Sequence, residues 1–577
     1  MPRTKRTKDG TPQWALLDEA DRPGVRRMNQ LLYGDNLHIM QQMPKWSVDL
    51  IYLDPPFKSD QTYNLIYSKY TGRPIPEQAQ AFCDTWEMDV EKEHLSQTMP
   101  ALLAEIGVEN YYIEFWRLWV HALKDVQPHL LAYLIYMVER LVHMKKILKP
   151  TGSLYLHCDP TASHYIKVML DGIFGHTNFQ NEIVWKRTHS HGGAKRWGPI
   201  HDVLLYYTAS ATFTWNDVFQ DYDDSYTDDY YRFTDARGRF RLVTLTGAGT
   251  RTGDSGKPWR GVDPTAVGRH WAVPTVALRR IADGKRLDTL STQEKLDMLD
   301  AAGVIYWPTR GSVPQQKRYL DEAPGVKIQD IITDIAPISS QSHERMGYPT
   351  QKPVPLLRRI IDASSNKGDL VFDPFCGCGT TIYAAHEAGR RWIGCDVAIL
   401  AVRIVEEQLG ERYGLIRGEQ YEEHGIPNSV ESATALFDEN PFQFEHWAVE
   451  YVEGFPTKKT GDEGVDGRIY FEADGSFGSM VLSVKGGAVH PTDIRDLIGT
   501  LASEPNARLA GFISLHEPTK AMRGAASKAG YWEYRGVRYE KIQLLTVREI
   551  IEGGKAFLTP SKIRTKGTSS QHKLAII

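Results

Sequence analysis

Short apolar blocks closed by turn residues alternate along this chain with stretches where apolar residues recur every three or four positions. The first clear block, Val48-Asp49-Leu50-Ile51-Tyr52-Leu53, stops at Asp54-Pro55-Pro56-Phe57. Prolines donate no backbone hydrogen bond, so a buried strand running into a rigid loop is predicted. Leu134, Val138, Leu141, Met144 and Leu148 form one stripe and predict an amphipathic helix. Lys145, Lys146 and Lys149 suit its negative end, and Pro150-Thr151-Gly152 breaks it before a strand over 153–157. A second block, Asp369-Leu370-Val371-Phe372, runs into Asp373-Pro374-Phe375-Cys376-Gly377-Cys378-Gly379-Thr380-Thr381. A helix through Ala384, Ala385 and Ala388 and a strand over 391–396 follow. Strand, helix and strand in this order predict an α/β sheet with right-handed crossovers.

The pattern also divides the chain, which at 577 residues is too long for one core. Residues 1–28 carry Arg3, Lys5, Arg6 and Lys8 without an apolar run, so they read as a basic solvated tail and not a secretory signal. Residues 29–186 and 341–412 hold the two strand–loop blocks, with a polar and aromatic insertion over 60–130. Between them, 187–340 is rich in Gly, Arg, Trp and Tyr. Trp215, Trp259, Trp271 and Trp307 are scattered there among Arg251, Arg260, Arg269, Arg279 and Arg280. A charged, helix-poor stretch over 413–439 reads as a linker, 440–557 as a last domain, and 558–577 as a polar tail.

Composition narrows the classes without choosing among them. With 41% hydrophobic and 24% charged residues the chain sits among ordinary soluble proteins. Its most apolar stretch, 130–138, ends at Glu139-Arg140, well short of the ~20 residues a membrane span needs, so no membrane partner is expected. Five cysteines make no disulfide framework, which fits a reducing cytoplasm. A net charge of −4 neither demands nor excludes nucleic acid, since binding needs a local basic face.

The loop after the second block has the form of a nucleotide-binding turn. Gly377 and Gly379 let the backbone approach a ligand, and Asp396, 17 positions on, can accept ribose hydroxyls. The loop lacks the three-glycine dinucleotide pattern and a phosphate-binding Lys. Asp373 suits a cofactor with a cationic amino acid end, and Phe375 offers it a packing face. Cys376, Cys378 and Cys395 lack a fourth ligand and read as small buried residues, so no metal is expected in this part.

The loop after the first block has a different task. An amino group conjugated to an aromatic ring is a poor nucleophile, because its lone pair is delocalised. The Asp54 carboxylate and the Pro55 carbonyl can both accept its hydrogens and favour a pyramidal nitrogen. Pro55 and Pro56 fix that geometry in advance, and Phe57 can stack on an extruded base.

With both loops in this order, the chain resembles the β-group of DNA amino-methyltransferases over residues 31 to about 410. Gly34-Asp35-Asn36, the run Leu148-Lys149-Pro150-Thr151-Gly152-Ser153-Leu154-Tyr155-Leu156-His157-Cys158-Asp159, Asn181-Glu182-Ile183-Val184-Trp185 and Gly347-Tyr348-Pro349-Thr350-Gln351-Lys352-Pro353 extend the match. The resemblance implies a doubly wound, Rossmann-like sheet with an inserted target-recognition region over 187–340. It implies S-adenosylmethionine as methyl donor and base flipping from double-stranded DNA. Asp54, Pro55, Pro56 and Phe57 would hold the base. Asp373, Phe375, Gly377, Gly379 and Asp396 would hold the cofactor, with Asp35, Thr350 and Lys352 closing its pocket. The leading Asp of the tetrapeptide favours the N6 amine of adenine, with the N4 amine of cytosine as the alternative. The Arg and Trp residues of 187–340 suit phosphate contact, guanine readout and stacking, although core packing is the plainer role for most of the Trp residues. Lys186, Arg187, Lys195 and Arg196, interleaved with His189, His191, Gly192 and Gly193, read equally as a DNA-gripping or a solvated loop.

The last domain resembles the Mrr-like branch of the PD-(D/E)xK nuclease fold, a smaller α/β unit. A helix over 442–452 carries Glu445, Asp466 precedes a strand over 468–471, and a strand over 480–485 ends in Lys485. The resemblance implies a Mg²⁺ site at Glu445, Asp466 and Lys485. Ser483 stands where a second acidic ligand belongs. The domain therefore reads either as a nuclease, making the chain a single-polypeptide restriction-modification enzyme, or as a fold retained for contact without cutting.

Overall fold

Alternation within each apolar block decides the architecture. In the strand Val48–Leu53, Leu50 and Tyr52 enter one hydrophobic cluster, while Ile51 and Leu53 enter another on the opposite face. A computed structural model of the chain describes residues 28–56, 86, 88–158, 162–188, 195, 197–282, 286–309, 313–322, 324–339, 342, 346, 351–457, 464–473, 476–504 and 506–560. Phe57, Thr350, His189, His191, Gly192, Gly193, Arg196, the N-terminal basic run and 561–577 lie outside them.

Two units are distinguished, 217–329 and the remainder. In the larger one, nine strands form a mixed sheet: β1 (Asn29–Tyr33), β2 (Val48–Leu53), β3 (Leu148–Cys158), β4 (Phe179–Lys186), β5 (His201–Thr208), β6 (Ile331–Ile332), β7 (Leu370–Asp373), β8 (Arg391–Asp396) and β9 (Tyr421–His424). Their order is β6-β4-β5-β3-β2-β7-β8-β1-β9, and only the pairings of β5 with β3 and β4 are antiparallel. From β2 the chain moves outward to β3; from β7 it moves the other way, to β8. The carboxyl ends of the adjacent strands β2 and β7 therefore flank a topological switch point, where open α/β sheets bind ligands. The helices Val90–Glu105, Asn110–Val126, Pro128–Ile147 and Ser163–Phe174 cover one face, and Val354–Ser364, Thr380–Glu387 and Ile399–Tyr413 the other.

Three parts differ from the sequence expectation. The insertion over 60–130 contains two regular helices, Val90–Glu105 and Asn110–Val126. The expected linker contributes β9, which pairs with β1, and a helix at Val430–Glu439. Strand β9 escaped notice because its sequence, Tyr421-Glu422-Glu423-His424, is acidic; Arg417 neutralises the buried Glu423 by an ion pair. The middle region is shorter than 187–340, since 201–208 and 331–332 belong to the large sheet.

The second unit has its own core around Phe240, Leu245, Trp259, Trp271, Leu296 and Tyr319. Trp259 and Trp271 are buried there, whereas Trp307 is exposed. Trp215, also exposed, belongs to the larger unit and stacks on Tyr206.

Beyond β9, a five-stranded sheet runs in the order β10 (Phe455–Pro456), β11 (Gly467–Ala473), β12 (Ser476–Lys485), β13 (Ala507–Ser514), β14 (Ile542–Thr546). The first two pairings are antiparallel and the last two parallel. The helix Pro441–Tyr451 packs between this sheet and the large one, so Phe444, Trp447 and Leu482 share a cluster with Leu31 and Tyr33. Among the described residues no helix is long and apolar enough to cross a membrane.

Candidate active site

At the carboxyl end of β2, beside the switch point, the two oxygens of the Asp54 carboxylate stand in different surroundings. Oδ2 pairs with the ammonium of Lys352, and Oδ1 is buried without a hydrogen-bond partner. The two side chains are only 15% and 9% exposed, so the ion pair operates at low dielectric. Lys352, expected to close the cofactor pocket, pairs with Asp54, the first residue of the Asp54–Phe57 tetrapeptide.

Beneath this pair runs a buried polar chain that the sequence did not reveal. Tyr52 Oη, on β2, meets His157 Nδ1 on β3 at 2.9 Å, and His157 Nε2 meets Asp202 Oδ2 on β5 at 3.2 Å. Arg187 Nε stands 3.3 Å from Asp202 Oδ1. Burial lowers the pKa of His157, with the charge of Lys352 acting in the same sense. Burial opposes ionisation of Asp202, yet the hydrogen bond and charge of His157 hold its pKa below the ordinary value. Tyr52 and His157 sit at alternate positions of buried strands, where a polar side chain signals a network of this kind.

At the carboxyl end of β7 the chain turns sharply. Gly377 and Gly379 have φ of 50° and 86°, and a Cβ on Gly379 would lie 2.8 Å from Val405 Cγ2, so glycine is required there. Gly377 N–H donates to Asp396 Oδ2 at 2.8 Å, and Phe375 N–H donates to Asp373 Oδ1 at 3.0 Å. Asp373 is buried and has no Lys or Arg partner among the described residues. Burial pushes its pKa up to about 7, with the negative charges of Asp54 and Asp396 adding to the effect. Burial likewise raises Asp396. Burial also raises the thiols of Cys376 and Cys395, and that of Cys378 to about 12. They are therefore neutral packing groups. Among the described residues no group of three or more His, Cys, Asp or Glu could hold a metal ion.

Asp35, expected at the cofactor pocket, makes two contacts within the fold. It accepts Leu37 N–H at 2.9 Å, capping the helix Asn36–Gln42, and receives Arg140 Nη2 on both oxygens at 2.7 and 3.0 Å. Arg140 Nε also donates to Asn36 Oδ1 (2.8 Å), and Asn36 Nδ2 donates to the Pro374 carbonyl at 2.7 Å. Arg140 lies 3.5 Å over the Tyr136 ring, whose centroid is 6.4 Å from that of Phe375. Asp35 thus supports the glycine turn through Asn36, which the motif contains without a stated role, and through Arg140, to which the sequence reading assigned none. The legible signal was an arginine inside the buried face of an apolar helix.

In the C-terminal sheet Asp466 stands just before β11. Its Oδ2 accepts Val484 N–H at 2.6 Å, its own N–H donates to the Leu482 carbonyl at 2.9 Å, and Ser483 is buried beside it on β12. Lys485 closes β12, and Glu445 lies on the helix Pro441–Tyr451.

Comparison with known proteins adds an independent line. The family described as DNA methylase, of the N6/N4 type, matches residues 48–407. The type II methyltransferase M.EcaI of Enterobacter cloacae is 34% identical over 275 residues, which are 48% of this chain and 56% of that protein. The Mod subunit of the type III restriction-modification enzyme StyLTI of Salmonella typhimurium is 24% identical over 371 residues, 62% of this chain and 49% of its own length. The chain therefore spans about half the length of these curated relatives. A crystal structure of a putative DNA modification methylase from Thermus thermophilus, complexed with S-adenosyl-L-methionine, overlaps 69% of this chain and 100% of that one. At 14% identity and a TM-score of 0.30 that overlap carries no argument here.

Proposed function

The chain belongs to the N6/N4 DNA methylase family, and from that premise we propose that it methylates the exocyclic amino group of adenine in double-stranded DNA, with S-adenosylmethionine as donor. The observation that carries this reading is the buried, unpartnered Oδ1 of Asp54 at the switch-point crevice. A buried acceptor left unmade costs about 1–3 kcal/mol, and a flipped base's amino group would satisfy it.

The pocket chemistry fits the donor. Asp54, Asp373 and Asp396 face one another electrostatically with Lys352 as the counter-charge, a balance that favours a ligand of net positive charge. Asp373 would take the amino acid ammonium, Asp396 the ribose hydroxyls, and Phe375 would pack against the donor. When bound, S-adenosylmethionine supplies an electrophilic methyl group on sulfur. Asp54 Oδ1 and the Pro55 carbonyl accept the hydrogens of the amine, so its lone pair becomes available. Lys352 anchors Oδ2 and keeps the free oxygen in place. Thr350 and Phe57 remain assigned by resemblance alone.

Unit 217–329 is proposed to read the target sequence, in a restriction-modification or defence setting. Among its described residues, Arg251 and Arg279 are exposed and make no ion pair, which leaves them available for phosphates. For the C-terminal domain we favour contact over cutting, because Asp466 is committed to Val484 N–H and Ser483 replaces an acid. Incubating the full chain with unmethylated DNA and Mg²⁺ tests this; cleavage that disappears in Asp466→Ala would make it a nuclease with Glu445, Asp466 and Lys485 at its Mg²⁺ site. Digesting DNA modified by the enzyme to nucleosides tests the main reading. N6-methyladenine is expected, and N4-methylcytosine would transfer the activity to the other base.

A further inference from the structure

The helix Pro441–Tyr451 begins the C-terminal domain and packs both on that domain's sheet and on the helix Ile399–Tyr413. Phe444, Trp447 and Val449 share a cluster with Leu31, Tyr33, Trp392 and Val402. Near its end, Glu450 reaches the exit of β8. Glu450 Oε2 accepts the backbone N–H of Ile399 at 2.8 Å. Ile399 is the first residue of the helix Ile399–Tyr413, and its N-cap residue, Ala398, offers no side-chain acceptor. Glu450 therefore supplies from a distant part of the chain the side-chain acceptor that this helix lacks locally.

The capped turn is the one that carries Asp396. Asp396 Oδ1 accepts Ala398 N–H at 2.9 Å and Oδ2 accepts Gly377 N–H at 2.8 Å. The Asp396 carbonyl receives Gly34 N–H at 3.0 Å. On the other side of that contact, Gln443 Nε2, from the same helix as Glu450, lies 3.2 Å from where a Cβ on Gly34 would stand. Residues 396–399 are thus gripped at one end by the glycine loop and at the other by the C-terminal domain. Burial at this junction raises the pKa of Glu450 to about 7, with the Asp396 charge adding to it, and a carboxyl oxygen accepts the Ile399 N–H in either protonation state.

We infer that Glu450 is a positioning residue for Asp396, and that the C-terminal domain is thereby a built-in part of the cofactor pocket. This rests on the reading of Asp396 as the ribose acceptor. A helix that loses its cap frays at its first turn, and Asp396 is oriented by the N–H of Ala398, the residue that precedes that turn. Donor affinity is the quantity that responds; the rate at saturating donor depends on Asp54 and stays.

The test uses the full chain and S-adenosylhomocysteine, the demethylated donor, in direct binding measurements. Glu450→Ala is expected to weaken binding roughly five- to tenfold, within the range of a lost helix cap. Glu450→Gln keeps an acceptor oxygen and is expected to bind within about twofold of wild type, and kcat at saturating donor should be near wild type in both. Wild-type hydrogen exchange provides an arm independent of mutant folding: S-adenosylhomocysteine should slow exchange both at 396–401 and across 441–451. Wild-type affinity in a folded Glu450→Ala protein, or protection at 396–401 that stops short of 441–451, overturns the inference alone. Failure of the wild-type protein to bind S-adenosylhomocysteine at all overturns the donor reading beneath it.

Discussion

Lys352 and Asp54, 298 residues apart in sequence, meet in an ion pair that occupies one carboxylate oxygen and leaves the other free. The Asp54 carboxylate is therefore asymmetric, as a carboxylate proposed to hold an amino group on one oxygen would be. Lys352→Met would let Asp54 rotate and leave it buried without a counter-charge. A charge-assisted hydrogen bond of about 1.5–3 kcal/mol corresponds to a fall in kcat of roughly 10- to 150-fold. Affinity for S-adenosylhomocysteine should change less than about threefold. The opposite split, weak binding with kcat retained, would return Lys352 to the cofactor pocket.

If Asp373 takes the donor's ammonium as proposed, donor binding has a pH dependence of defined sign. Its pKa is about 7 in the free protein, and pairing with an ammonium requires the ionised form. Below pH 7 a proton must be released before binding, so affinity falls as pH falls; above pH 7 it levels off. Titration calorimetry with S-adenosylhomocysteine between pH 6 and pH 8 should show about a tenfold gain, which Asp373→Asn should flatten. A wild-type profile already flat would remove Asp373 from the ammonium site.

Arg140 ties Asp35, Asn36 and the glycine turn together from within a buried helix face. Arg140→Met keeps the volume but strands Asn36 Oδ1 and the Asp35 carboxylate. Because Asp35 is partly exposed, the loss should be somewhat below that of a fully buried pair, about 2–4 kcal/mol. Urea denaturation measures it; an unchanged midpoint would show that the pair contributes nothing.

Arg251 and Arg279 test the assignment of unit 217–329 to DNA. If each neutralises one phosphate, alanine at either should lower affinity similarly for cognate and unrelated duplexes. It should also reduce the slope of log K against log salt by about 0.9. A change confined to one base position would make that arginine a sequence reader.

The sequence exposed the two strand–loop blocks because proline and glycine act locally: they stop a strand wherever they stand. That both loops belong to one doubly wound sheet was implied by the family resemblance and not by any local pattern. Partnerships across hundreds of residues were not legible in this way. Nothing near Lys352 marks Asp54 as its partner, and nothing near Glu450 names Ile399. Strand β9 was hidden because Glu422 and Glu423 lower its β propensity, a cost the Arg417 ion pair offsets only once the chain is folded. The helix Val90–Glu105 was hidden by Pro100 in its interior and by a buried face reduced to Ser96, Met99 and Leu103. Asp35 was found by motif, whereas its capping of Asn36–Gln42 and its pairing with Arg140 were not legible.

The central claim is that the free oxygen of Asp54 holds the amino group that receives the methyl. Single-turnover transfer from radiolabelled S-adenosylmethionine to duplex DNA, followed by nucleoside digestion, compares wild type with Asp54→Ala at matched donor occupancy. N6-methyladenine from the wild type, a rate at least about a hundredfold lower in the variant and unchanged S-adenosylhomocysteine binding are the predicted results. Asp54→Ala protein that methylates DNA at the wild-type rate would contradict the account.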